Sequence, residues 1–186
     1  DSEVGKQEAF KAPQNIRKQY SVMEEETAEG NYYLTYNVSM GSSLDRELYA
    51  AMDILDYVLC SAPGAAVKQA LIDKGIGKDV YTTLENGIGQ PYFSIIAKNA
   101  DEDQLKEFVE TIEETLKEQV RKGLNKKALL AAINYFEFKY READYGSYPR
   151  GLILGLQALD SWLYDETKPF LHIEANETYG KLKASI

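Results

Sequence analysis

LCSAPGAAVKQALIDKGIGKDVYTTLENGIGQPYF, residues Leu59 to Phe93, is the stretch whose reading decides the fold. A helix enters it, and Ala62-Pro63-Gly64 breaks that helix. A short second helix is expected over Ala65 to Lys74. Gly75 and Gly77 stop it, because a glycine just past a helix closes the last turn in the left-handed conformation. Two strand-like runs follow, joined through Asn86-Gly87-Ile88-Gly89. Asparagine and glycine there tolerate the positive φ that a tight strand connection needs. This punctuation is structural and carries no catalysis.

Working outward, Asn31 to Met40 (NYYLTYNVSM) alternates, with Tyr32, Leu34, Tyr36, Val38 and Met40 on one side. That is a strand with one core face. Upstream of it, Ile16 to Met23 is compatible with a strand, and Glu24 to Gly30 reads as an acidic turn. Residues 1–15 are polar and aperiodic, and are expected to be a linker or the tail of a preceding domain. Gly41-Ser42-Ser43 opens the entering helix with Ser43 as its cap, and Leu44, Leu48, Met52, Leu55 and Leu59 form the stripe expected to face the sheet. Tyr92 to Ala97 continues as strand. Asp101 caps a helix whose inner face is Leu105, Phe108, Val109, Ile112, Leu116 and Val120. Gly123 ends it, and Asn125 caps another helix, Lys126 to about Ala143. Leu129, Leu130, Ile133, Phe136 and Phe138 surround that helix, which predicts deep burial. Pro149 suits the first turn of a further helix through Leu163, and Pro169 begins one more segment. One sheet with helices gathered on one face satisfies this order: an α+β two-layer sandwich with a mainly antiparallel or mixed sheet. Residues 16–186 form the domain, expected to be cut short at its C-terminal end.

Composition narrows the function. The 186 residues suit one domain, and 44% hydrophobic content supports a core. The 14 Tyr and single Trp indicate half-wet surface beside that core. A net charge of −9 argues against nucleic acid and anionic membrane surfaces and for cationic or extended peptide partners. No run approaches the ~20 apolar residues of a spanning helix. Cys60, the single cysteine, rules out an internal disulfide framework and a Cys-based zinc site, and its apolar helix face predicts a buried thiol. The chain starts at Asp1 without Met and reads as a piece of a longer protein, so a missing signal peptide carries no meaning.

Candidate chemistry is sparse. His172 is the single histidine and has no second ligand at i+4, so neither a metal site nor a Ser/His/Asp set can be assembled around it. Glu107, Glu110, Glu113, Glu114 and Glu118 read as the wet face of a helix. Gly75-Ile76-Gly77 and Gly87-Ile88-Gly89 do not extend to a phosphate-binding Gly-x-Gly-x-x-Gly. Asn37-Val38-Ser39 matches a glycosylation sequon but lies within a strand. From the residues, then, no catalytic residue and no metal ligand is expected.

Ser61-Ala62-Pro63-Gly64, then Leu71 to Gly77, the strand pair around Gln90-Pro91-Tyr92-Phe93-Ser94, and Tyr148-Pro149-Arg150-Gly151 occur in an order that resembles the second domain of the insulinase/pitrilysin family of zinc peptidases. Its presequence-protease branch is the most similar, and the resemblance covers residues 20 to 170. It implies peptide hydrolysis by a larger protein, in which zinc is held by a His-x-x-Glu-His motif in another domain. This chain has no such motif, so the resemblance implies a silent domain that walls the substrate chamber, with zinc only in the parent protein. Its partners would be the other domains of that parent and peptide substrates. The insulin-degrading branch implies an exosite by strand addition. By position, that falls on Gly64, Tyr81, Thr82, Thr83 and Leu84, although Leu84-Glu85-Asn86 replaces the glycine-rich end of that branch's strand. Alternatives are a non-peptidase assembly homologue of the same fold or a small regulatory binding module.

Overall fold

The computed structural model of the chain describes residues 5–23, 27 and 29–186. Three strands, β1 (Tyr32–Ser39), β2 (Asp79–Glu85) and β3 (Tyr92–Ala100), form a wholly antiparallel sheet in the order β1-β3-β2. The helices are α1 (Arg46–Asp56), α2 (Ala66–Asp73), α3 (Leu105–Lys122), α4 (Lys126–Glu142), α5 (Arg150–Trp162) and α6 (Asn176–Ala184). This is the expected α+β architecture.

The breaks fall where the punctuation put them. Helix α1 runs into a π-helical turn, Tyr57–Ser61, and ends at extended Ala62. Gly64, Gly75 and Gly77 all take positive φ. Residues 46–73 together carry enough apolar length to span a membrane. The turn at Ala62–Ala65 divides them into two helices, and Val67 and Leu71 of the second are fully buried.

Two cores result. The first lies between the sheet and α2 and α3, where Leu34, Val67, Leu71, Ile76, Val80, Ile95, Phe108 and Ile112 meet around Cys60. The second joins α1, α4 and α6 through Ile54, Ala132, Ile133, Ala175 and Tyr179. The expected single layer of helices on the sheet therefore holds for α2 and α3. Helix α4 packs on α1 and α6 instead.

Several local expectations are corrected. Ile16 to Met23 forms no strand; the whole stretch 5–23 is exposed and without regular structure. Side chains tether it along the sheet. The Gln7 amide donates to Gln90 Oε1 at 2.7 Å, and Gln90 Nε2 donates to the Gln7 carbonyl at 2.9 Å. At the opposite end Arg17 pairs with Glu102, and the Tyr20 hydroxyl donates to the Asn31 carbonyl. Part of the expected turn at Glu24–Gly30 lies outside the described residues.

Asp45, not Ser43, caps α1, accepting from the Leu48 amide at 2.9 Å. Ser43 is fully buried two residues earlier. The deeply buried face of α1 is Ala50 and Ile54, because this helix serves the second core as much as the sheet. The connection over residues 86–91 is longer than a tight hairpin, and neither Gly87 nor Gly89 takes positive φ. Asp101 caps as expected, through a box with Gln104 over the 3-10 turn Glu102–Gln104 that leads into α3. On α3, Phe108 and Ile112 are buried but Leu105 and Val120 are exposed. On α4, Leu130, Tyr135 and Phe138 face outward, so its apolar girth reflects an open face and not deep burial. Pro149 stands at the N-cap position of α5, one residue before the helix.

Candidate functional site

Strand β2 is an edge of the sheet, paired with β3 alone. Among the described residues, no backbone hydrogen bond outside that ladder uses Asp79–Glu85. Its outer edge therefore offers unpaired amides and carbonyls, the template on which an extended chain adds as a further strand. Tyr81 and Thr83 are exposed, while Val80, Thr82 and Leu84 turn toward the helices. Thr82 Oγ1 donates to Asp56 Oδ1 at 2.6 Å and lies 3.2 Å from Ser61 Oγ. That small network fastens the edge strand to the π-helical turn preceding Pro63-Gly64. Beside it, Ser61–Ala65 with Lys68, Gln69 and Ile72 lines a hollow of about 280 Å³. Gly64 adopts φ +72°, and no atom lies within 4 Å of where a Cβ would sit. Of the five residues singled out in the sequence, Tyr81, Thr82, Thr83 and Leu84 lie along the edge strand, and Gly64 lines the hollow that follows the turn to which Thr82 is fastened.

A larger cleft, of about 630 Å³, opens between α1, α4, α5 and the segment leading into α6. Successive turns of α1 supply Arg46, Tyr49 and Asp53 to its wall, and Asp160 and His172 face them. The Tyr49 hydroxyl donates to Asp160 Oδ2 at 2.8 Å, and its ring stacks on the His172 imidazole with centroids 3.7 Å apart. Burial pushes the Asp53 carboxyl up to about 6, helped by the charge of Asp56 and opposed by Lys139. Asp160 is raised by burial, against the hydrogen bond from Tyr49. Burial lowers His172, with the Arg46 charge adding to the shift and a hydrogen bond to the Ser43 backbone opposing it, which favours the neutral ring. His172 is 3% exposed, and its Nε2 has no hydrogen-bond partner among the described residues.

The β2–β3 connection abuts this cleft, which explains its glycines. A Cβ on Gly87 would lie 2.5 Å from Asp160 Oδ1, and one on Gly89 would lie 2.8 Å from Tyr164 Cε1. Close approach, not backbone handedness, requires glycine here. The reading of the sequence missed this cleft. Tyr49 and Asp53 sit at i, i+4 on one helix, but nothing local to them announces Asp160, more than 100 residues on.

Metal chemistry finds no support in these side chains. Among the described residues no group of three or more His, Cys, Asp or Glu could hold an ion. One histidine and one buried cysteine do not fit a zinc site. Cys60 is 3% exposed, and burial pushes its thiol up to about 12, with Asp56 adding to the shift. The glutamates of α3 form a wet face; Glu107, Glu110 and Glu113 pair with Lys74, Lys106 and Lys117.

Comparison with known proteins agrees with this picture. Residues 3–136 match the family described as the peptidase M16 inactive domain. Over 186 residues the chain is 38% identical to Protein HypA of Clostridium perfringens, covering all of this chain and 19% of that protein. It is 29% identical over 187 residues to presequence protease 1, chloroplastic/mitochondrial, of Arabidopsis thaliana, covering 17% of it. The chain thus spans less than a fifth of the length of these relatives. Among solved structures it is similar to a provisionally assigned zinc protease of Bordetella pertussis Tohama I, with a TM-score of 0.55 and 12% identity over 82% of this chain and 86% of that one. The inactive peptidase domain of a provisionally assigned zinc protease from Bordetella parapertussis also has a TM-score of 0.55, at 13% identity over 82% and 84% of the two chains. These two likenesses show the fold.

Proposed function

Because this chain belongs to the peptidase M16 inactive-domain family, we propose that it is the catalytically silent domain of a zinc-dependent peptidase that degrades peptides. It walls the substrate chamber while another domain of the same protein holds the metal and cuts. The chain has a single histidine and so cannot supply a His-x-x-Glu-His motif, which supports the division of labour. The residues here hold no zinc, and no step of hydrolysis is assigned to them.

The observation that supports a role in peptide capture is the unpaired outer edge of β2, fastened through Thr82 to the turn that precedes Gly64. An extended peptide aligning with Tyr81, Thr82, Thr83 and Leu84 exchanges backbone hydrogen bonds with that edge. Each is worth about 0.5–1.5 kcal/mol net, so a run of four or five gives useful but reversible retention. Gly64 leaves the approach open, having no side chain.

Contacts with the remainder of a longer polypeptide are supported by α5. Leu152, Leu156, Leu159 and Leu163 recur at the spacing of one helical face and are 50%, 52%, 36% and 69% exposed. An apolar stripe of this kind on a chain spanning under a fifth of its relatives fits packing against sister domains.

Zinc content and cleavage of an unstructured peptide pool, measured in parallel on this chain and on the longer protein, test the reading. About one zinc and activity in the longer protein alone are expected. A longer protein that is zinc-free and inert favours an assembly homologue instead. For the edge, a bound peptide should shift the amide resonances of Tyr81–Leu84, and the same peptide N-methylated at alternate residues should not bind. Equal binding of both peptides rejects strand addition.

A further inference from the structure

The cleft between α1, α4 and α5 has an electrostatic demand that strand addition on β2 does not meet. Asp53 and Asp160 line it, and neither makes an ion pair among the described residues. The charge of Lys139 reaches Asp53, but its ammonium lies over the Tyr135 ring at 5.5 Å. Asp160 Oδ2 is occupied by the Tyr49 hydroxyl at 2.8 Å, and Oδ1 is turned toward Gly87. His172, 3% exposed, has no hydrogen-bond partner at its buried Nε2 among the described residues. Acceptors thus converge around Tyr49, while on the same wall the buried Arg46 Nε also has no hydrogen-bond partner among the described residues, and its charge acts on His172; buried polar groups rarely stay unpartnered without a ligand.

Arg46 is the cation on this side of α1, and it lies seven residues before Asp53. At about 1.5 Å of rise per residue, the two sit on the order of 10 Å apart along the helix axis, so Arg46 does not neutralise Asp53. Tyr140, Tyr145, Tyr148 and Tyr179 also face the cleft, and their rings attract a cation laid across them.

We propose that this cleft binds the guanidinium of an arginine side chain presented by a peptide, with Asp53, Asp160 and His172 Nε2 accepting its N–H groups and tyrosine rings flanking its plane. A guanidinium suits the set better than an ammonium. It offers five donors in one plane, matched to acceptors spread around a ring, where an ammonium concentrates three at a point. The cleft volume of about 630 Å³ accommodates such a side chain with part of its backbone. The net charge of −9 favours the approach of a basic ligand. This site is separate from the β2 edge and does not depend on it.

Titration of the isotope-labelled chain with N-acetyl-arginine amide tests the proposal, because so small a probe cannot add as a strand. Saturable shifts of the His172 ring and of amides around Tyr49 are expected, with weaker binding of the lysine analogue. The glutamate analogue should not bind. Asp53→Asn and Asp160→Asn keep side-chain shape, and each should weaken binding roughly tenfold or more, since a hydrogen bond to a charged group is lost. Their circular dichroism should match the parent chain. The proposal is overturned if the glutamate analogue binds as well or better and Arg46→Ala abolishes it, which makes the cleft an anion site. Unchanged binding in both Asn variants, or no saturable shift with the arginine probe, also overturns it. None of these outcomes moves the Tyr81–Leu84 amides, which report separately on strand addition.

Discussion

At Asp53 burial works against the charged form, and this sets a pH dependence. Its carboxyl titrates at about 6 in the folded chain against an ordinary 3.8, so the native state holds the extra proton between those values. Stability therefore falls as pH rises from about 4 through 6, and stays lower above. Two pKa units correspond to about 3 kcal/mol as an upper limit. Asp53→Asn should thus stabilise the chain at pH 7 by about 1–3 kcal/mol and leave it unchanged near pH 4. Urea unfolding at the two pH values reads the difference, and an equal effect at both would refute the burial argument. Two glycines give a second contrast. Gly77 has φ +70°, and a Cβ there would meet the Lys98 carbonyl oxygen at 2.9 Å, whereas Gly64 has φ +72° and open space. Gly64→Ala should cost about 1–2 kcal/mol from backbone handedness alone. Gly77→Ala should cost roughly 1–3 kcal/mol more, because the opposing atom is backbone and cannot swing aside. Comparing the two urea midpoints measures that increment.

Among the elements, α3 depends on its start. Asp101 and Gln104 cap it reciprocally, and Asp101 Oδ1 also accepts from the Gly30 amide at 2.8 Å. Asp101→Ala should destabilise the chain by about 1–2 kcal/mol, and hydrogen exchange of the first α3 amides should rise ahead of the rest. Elements of this kind were legible in the sequence because their signals are local. Asn125 before α4, the Pro63-Gly64 break, and the alternation in Tyr32–Ser39 each act within a few residues. Assignment of faces succeeded only where one partner decides them. Helix α3 serves the first core, and its Phe108 and Ile112 were correctly placed. Helices α1 and α4 serve a second core that no short window of sequence reveals, so Ala50 and Ile54 displaced the expected leucine stripe and the aromatic side of α4 was left outside. Gly64 and the residues of β2 could be singled out from resemblance. The Tyr49–Asp160–His172 cleft could not, since its walls come from segments far apart in the chain.

For the whole molecule, the apolar stripe of α5 governs behaviour in isolation. Leu152, Leu159 and Leu163 are exposed on one face, and about 25 cal/mol per Å² favours covering it. The chain by itself should associate with rising concentration in sedimentation equilibrium, and Leu159→Lys with Leu163→Lys should restore a monomer without loss of helicity. A monomer at all concentrations for the unaltered chain would show that the stripe is too small to drive contact. The existence of two cores has a kinetic reading as well. Cys60 is sealed in the first core and holds its proton up to about pH 12, so an alkylating reagent cannot attack it in the closed state. Modification then waits for the sheet to part from α2 and α3. The rate of thiol capture becomes an internal clock for that one event, silent to any loosening confined to α4 and α6.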